Sequence, residues 1–223
     1  VWNYKDFLMV GGVLRSTGGA NGQSSVATSS SCLANDNSSS NAKITGGELI
    51  SSAMVIGNKG TLVMEGSSGD MISVKGGVAY FQCIKNQISN ATISLKYVSI
   101  EATVGGCIEN AGGTATITSC EFKQSGYFDH NSSCVSVSGG GNTIIQNTTI
   151  ESLNAEKTAA NSENYCLYVF SSGGTITVEN GVFSGGLNVL RADGTGVANK
   201  PSSIVVKDGQ FTGTINATND ATI

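Results

Sequence analysis

Proline, histidine and tryptophan each occur once in 223 residues, and only 13% of the chain is charged. Each shortage excludes something. A compact α/β enzyme of this length carries about 25% charged residues and several amphipathic helices, whereas here no long window shows a 3.6-residue apolar period. Arginine is confined to Arg15 and Arg191, lysine forms no cluster, and the net charge is −4 with a pI of about 4.9. The basic stripe that neutralises phosphates is missing, which sets nucleic acid aside as a partner. No apolar run approaches the ~18–20 residues of a bilayer-spanning helix, so no membrane span is expected in this segment. There is no Cys-x-x-Cys and no histidine pair, so neither a metal nor a cofactor is expected. The first residue is Val1 and not Met, which reads as a processed product or as one part of a longer chain; a signal peptide is neither seen nor excluded.

What is present is glycine, 30 residues of it, together with Ser, Thr and Asn. Short runs alternating apolar and polar residues lie between these turn formers, which is the pattern of an all-β chain. Gly173-Gly174-Thr175-Ile176-Thr177-Val178-Glu179-Asn180-Gly181-Val182-Phe183 shows the unit: a turn, a strand with Ile176 and Val178 inward, an Asn-Gly turn and an aromatic plug. Laid over this unit, seven copies share a first inward position at Ala42, Leu62, Ile93, Ala115, Thr143, Ile176 and Ile204. A second inward position holds Ile44, Met64, Leu95, Ile117, Ile145, Val178 and Val206, and a third, five residues on, holds Leu49, Gly69, Ile100, Phe122, Ile150, Phe183 and Phe211. Asn41, Thr61, Thr92, Thr114, Asn142, Thr175 and Ser203 precede the strands and face outward. Copies recur every 20 to 33 residues, a period of variable length without helices, which fits a parallel β-helix of seven or eight coils better than a β-sandwich or leucine-rich repeats. The outward positions also pair Glu65 with Lys96 and Glu179 with Lys207 on adjacent coils, as cross-strand neighbours should.

A second strand precedes most copies, and it places Cys83, Cys107, Cys134 and Cys166 in one column. Two readings stay open: buried thiols acting as small hydrophobes, or disulfides between neighbouring coils, whose spacing a disulfide tolerates. Residues 1–40 are expected to form an N-terminal cap and a Ser/Gly-rich loop. Val1 to about Arg15, rich in Trp2, Tyr4, Phe7, Leu8, Met9 and Val10, ignores the repeat and reads as a cap or as a strand continuing from an upstream domain. Residues 41–223 are expected to form the β-helix. Thr214-Ile215-Asn216-Ala217-Thr218 resembles one more rung with no cap after it, so either the native chain continues or this end pairs with another subunit.

From Gly105 to Phe122 (Gly-Gly-Cys-Ile-Glu-Asn-Ala-Gly-Gly-Thr-Ala-Thr-Ile-Thr-Ser-Cys-Glu-Phe) the chain resembles right-handed β-helix repeats of the pectate-lyase-like superfamily. Within it the likeness is to non-enzymatic surface repeats, such as polymorphic outer-membrane-protein-like adhesins and adhesin-like cell-wall proteins of gut microbes. Those carry Gly-Gly-Ala-Ile and then Phe-x-x-Asn; here Cys107 replaces the alanine, and Phe128-Asp129-His130-Asn131 lies outside the expected place. The resemblance covers roughly residues 41–215. It implies an extracellular stalk or binding surface whose partner is a glycan or protein on a host or neighbouring cell.

Catalytic residues are hard to find. Polysaccharide lyases of this shape need a base and Ca²⁺-holding carboxylates, and hydrolases need converging carboxylates; here Glu101 and Glu151 are separated by the Lys123 rung. One constellation remains, Tyr127, Phe128, Asp129 and His130, which serves as a corner loop, as a ligand or partner contact, or, with Asp129 orienting His130, as an acid/base. Asn-x-Ser/Thr sites at Asn37, Asn90, Asn131, Asn147 and Asn216 accept glycans if the source glycosylates such sites. Asn147, Asn180 and Asp208 share one turn position, where residues of this type tolerate a left-handed backbone. The sequence therefore reads as an extracellular scaffold, adhesin-like or structural, and not as an enzyme; the alternative is a polysaccharide-binding or polysaccharide-degrading β-helix.

Overall fold

The computed structural model describes residues 1–17, 31–77, 82–103, 105–125, 133–152, 165–194, 201–218 and 220–223, with residues 186–188 described by backbone alone. Every regular element in it is a strand, and the strands pair in parallel. The chain winds as a parallel β-helix in which each coil contributes three strands. First strands run through Trp2–Asn3, Leu33–Asn35, Ile56–Asn58, Ile84–Asn86, Ile108–Ala111, Ser133–Ser138 and Tyr165–Val169. Middle strands are Asp6–Met9, Asn41–Ile44, Thr61–Glu65, Thr92–Lys96, Thr114–Thr118, Gly141–Gln146, Gly174–Val178 and Ser202–Val206, and these eight make one sheet. Third strands begin with Val13–Ser16, Glu48–Ser51, Ile72–Gly76, Val98–Ala102, Glu121–Gln124 and Thr148–Ser152. The 13-residue strand Gly181–Asp193 ends one coil and begins the next, which joins the first and third columns into a single 15-stranded sheet. Gln210–Thr218 repeats this on the following coil, so a ninth turn is under way where the eighth ends.

Alternation explains the coil. A strand of this length buries one face only, and that face has no cover until the next copy stacks about 4.8 Å away. The middle strands stack in the expected register, with Ala42, Leu62, Ile93, Ala115, Thr143, Ile176 and Ile204 in one inward column. Ile44, Met64, Leu95, Ile117, Ile145 and Val178 fill the next column and are buried. Each such side chain contributes roughly 1.5–3 kcal/mol by leaving water, far more than any exposed ion pair, so the inward columns set the register.

Two expectations are corrected. The segment Val1–Arg15 was expected to ignore the repeat; it forms the first coil instead. Phe7 and Met9 stack on Ala42 and Ile44, and Leu14 on Leu49. The inward positions were disguised because outward positions are apolar too: Trp2, Tyr4, Leu8, Val10 and Val13 are exposed. The second correction concerns Gly69, assigned to the third inward column. Val74 occupies that place, between Leu49 and Ile100. A tight turn closed by Ser67 and Asp70, whose N–H groups donate to each other's carbonyls at 3.1 and 3.2 Å, inserts residues at this corner and defeats a fixed offset.

The corners carry their own order. Asn3, Asn35, Asn58 and Asn86 end their first strands and Asn110 is next to last in its own; all five point inward and are buried. Each side-chain amide donates to the next one's carbonyl: Asn3 to Asn35 at 2.8 Å, Asn35 to Asn58 and Asn58 to Asn86 at 2.7 Å, and Asn86 to Asn110 at 3.1 Å. Asn110 closes the ladder on Thr143 Oγ1 at 3.1 Å. The amides also serve backbone carbonyls that the bend leaves without strand partners; Asn58 Nδ2 donates to Gly60 and Thr92 at 2.9 and 3.0 Å. At the opposite corner, between middle and third strands, Tyr97, Ser119 and Asn147 adopt a left-handed backbone with φ of 53, 53 and 48°.

Candidate functional site

The loop bearing Tyr127, Phe128, Asp129, His130 and Asn131 lies outside the described residues. The remaining glycan acceptors are scattered. Asn37 and Asn90 are exposed in turns between first and middle strands, Asn147 is exposed at the left-handed corner, and Asn216 is half-buried in the last strand. Asn37 Oδ1 accepts from the Ser39 N–H and hydroxyl at 3.0 and 3.1 Å, an Asx turn that explains its place.

The cysteines do come together. Register stacks Cys83, Cys107, Cys134 and Cys166 on four consecutive coils, immediately before Ile84, Ile108, Val135 and Leu167. Cys32 stands in the same column, before Leu33, with Val55 between it and Cys83. All six cysteines are buried and free. Their thiols lean toward third-strand carbonyls, Cys32 to Ile50 at 2.8 Å and Cys134 to Glu151 at 3.5 Å. Burial drives the Cys83 and Cys134 thiols well above their ordinary range, Cys120 up to about 11 and Cys166 up to about 12. Such thiols stay protonated at neutral pH and are poor nucleophiles. They behave as core residues.

An open groove lies on the outer face of the third strands. It encloses about 310 Å³ and is lined by Ser99, Ile100, Glu101, Glu121, Phe122, Lys123, Thr149 and Glu151. Glu101, Lys123 and Glu151 stand on consecutive coils, with Lys75 on the coil before. Lys75 is held by Glu48 at 2.9 Å, which lowers the glutamate's proton affinity and raises the lysine's. Among the described residues Glu101, Glu121, Lys123 and Glu151 make no ion pair. Three carboxylates and one ammonium spread over three consecutive coils can accept from and donate to hydroxyl groups laid along the face. A fixed-offset overlay showed Lys123 between two glutamates but not that Glu121 joins them.

A second cluster was missed altogether. Tyr168 and Arg191 occupy equivalent outward positions on successive first strands. The Arg191 guanidinium lies 5.4 Å from the ring centres of both Tyr165 and Tyr168. Its Nε donates to Asp193 Oδ1 at 2.8 Å and its Nη1 to the Tyr165 hydroxyl at 2.6 Å. Asp193 also accepts from the Tyr168 hydroxyl at 2.5 Å and from Thr218 Oγ1 at 2.9 Å. Burial opposes the charge on Asp193, but the Arg191, Tyr168 and Thr218 hydrogen bonds outweigh it and hold the carboxyl below its usual range. Burial and the Asp193 carboxylate together push the Tyr168 phenol up. The signal was available: aligning Cys166-Leu167-Tyr168 with Val189-Leu190-Arg191 places the tyrosine over the arginine. The cluster ties three coils together, with both Asp193 carboxylate oxygens already accepting hydrogen bonds.

Among the described residues no group of three or more His, Cys, Asp or Glu side chains could hold a metal ion. Compared with family models, curated proteins and solved structures, the chain matches none of them.

Proposed function

We propose that this chain is a scaffold at the cell surface or outside the cell, adhesin-like or structural, which works by presenting its outer faces to a glycan or protein on another surface. One observation carries this reading: among the described residues the chemistry is spread along the rod in repeated columns and does not converge on a catalytic point. Thr, Ser and Asn pave the outward column from Asn41 to Ser203. The inward asparagines and thiols are consumed by the fold. This is also the use expected of the pectate-lyase-like surface repeats that the Gly105–Phe122 segment resembles. Stacking of another subunit on the last coil, giving a filament or stalk, belongs to the same proposal.

The groove of Glu101, Glu121, Lys123 and Glu151 favours a second reading, in which the third-strand face binds or cleaves a polysaccharide. One experiment separates the two. The chain is passed over immobilised glycans and intact cells while a polysaccharide panel is assayed, with and without Ca²⁺, for released oligosaccharides. Retention without release supports the scaffold; release that disappears in Glu101→Gln or Glu151→Gln overturns it in favour of the second reading.

A further inference from the structure

We infer that Asn180 is a site of spontaneous deamidation, built into the corner that joins the middle strand Gly174–Val178 to the long strand Gly181–Asp193. Asn180 and Gly181 are both half-exposed. The following glycine is not free to change. Its φ is 155°, and a Cβ there would sit 2.4 Å from the Thr148 carbonyl oxygen. Packing therefore keeps a residue without a side chain next to the asparagine, so no Cβ stands beside the attacking backbone nitrogen.

The neighbouring coils supply two further observations. The N–H of Asn147, one coil earlier, donates to Asn180 Oδ1 at 2.6 Å. A donor at that atom identifies it as the oxygen and leaves Nδ2 on the other side. It also sits where negative charge develops when Cγ is attacked, the arrangement that stabilises an oxyanion. One coil later, at the same corner position, the Gly209 N–H donates to Asp208 Oδ1 at 2.8 Å, so the backbone here brings a glycine nitrogen within reach of the preceding carboxyl group. Asn147, Asn180, Gly181 and Asp208 line a groove of about 410 Å³ open to solvent.

The reaction is a hydrolysis with no redox change. The Gly181 nitrogen gives its proton to solvent base and forms a bond to Asn180 Cγ. The Cγ–Nδ2 bond breaks, and Nδ2 takes a proton from solvent and leaves as ammonia. Water then opens the succinimide at either carbonyl, giving aspartate or isoaspartate. Aspartate puts a carboxylate one rung from Asp208, a like-charge neighbour in a parallel sheet. Isoaspartate lengthens the backbone at the corner and shifts Gly181 off its partner Thr148.

The folded chain, held in mildly alkaline buffer, is sampled over time and mapped by mass spectrometry, with isoaspartate labelled by an isoaspartyl methyltransferase. Asn147 is the control, since it shares the corner but precedes Thr148; Asn21–Gly22, the other Asn–Gly pair in the chain, reports that conditions suffice. Conversion of Asn180 should exceed that of Asn147 by about tenfold or more, because only Asn180 precedes a residue with no Cβ. The urea midpoint should fall in step with it, in the native sequence and not in Asn180→Ser. An Asn180 that stays intact in the folded chain, or that converts no faster than Asn147, overturns the inference.

Discussion

The first five coils and the last coils are tied together in different places. At each bend from first to middle strand, backbone carbonyls lose their strand partners and must be satisfied. The early coils do this from inside, through the ladder Asn3, Asn35, Asn58, Asn86 and Asn110. From the sixth coil the same register position holds Val137, Val169 and Ala192, and the ladder stops. There the tie between coils moves to the outer face, where Tyr165, Tyr168, Arg191, Asp193 and Thr218 interlock. Neutral amides need no counter-charge and fit a dry bore; an ion pair would carry a desolvation cost of several kcal/mol there. On the outer face an arginine keeps part of its hydration and an aromatic cover excludes the rest.

The inner ladder offers the largest effect. Asn58 takes part in five hydrogen bonds, donating to Gly60, Asn86 and Thr92 and accepting from Asn35 and the Gly60 N–H. Asn58→Ala orphans groups on two neighbouring coils and should lower stability by about 3–5 kcal/mol, read as a fall in the urea midpoint. The reciprocal change sharpens the comparison. Val169→Asn puts an amide at the same position in the late coils, where no ladder receives it, and should cost about 2–3 kcal/mol. If Val169→Asn were neutral, the two halves would not differ in the way described.

The outer cluster should give the next largest loss, and a different pH dependence. Arg191→Ala leaves Asp193 half-buried without its cation and should cost about 2 kcal/mol, tempered by partial exposure. Hydrogen exchange should show the loss first in the strand Gln210–Thr218, because Thr218 is tied to Asp193. The Asp193 carboxyl is held below its usual range, so the folded state binds its proton less readily than the unfolded chain does. Its contribution is complete above the unfolded value of about 4 and fades as pH falls toward the lowered folded value. Acid should therefore open the C-terminal coils before the asparagine-laddered ones, and Asp193→Asn should remove that difference. Exchange that collapses uniformly along the rod in acid would contradict it.

The middle strands were legible because the offset between their two inward positions is fixed although the spacing of the copies varies, from Ala42 and Ile44 to Ile204 and Val206. Third-strand positions were legible except where an insertion broke the count, which is why Gly69 displaced Val74 on paper. The asparagine ladder escaped for the same reason. Measured from the middle strand its offset varies with corner length, but measured from the first strand it is constant in Cys32-Leu33-Ala34-Asn35, Val55-Ile56-Gly57-Asn58, Cys83-Ile84-Lys85-Asn86 and Cys107-Ile108-Glu109-Asn110. The surfaces were least legible. Glu101, Glu121, Lys123 and Glu151 are individually ordinary, and only the register of three coils makes them a groove.

The smallest effect belongs to the outward ion pairs, and it separates what records the register from what enforces it. Lys207 Nζ meets Glu179 Oε1 at 2.8 Å, while Lys96 and Glu65 approach only to 3.7 Å. All four side chains keep at least a third of their surface in water. Hydration and salt compete with such pairs, so each is worth about 0.2–1 kcal/mol. Glu179→Gln should lower stability by no more than this, and high salt should abolish the difference from the native chain. Exchanging the two residues in Glu179→Lys with Lys207→Glu should restore the native value, because the columns beneath remain Ile176 on Ile204 and Val178 on Val206. A loss as large as that of Asn58→Ala would instead mean that these charges help to choose the register, which the burial of the inward columns argues against.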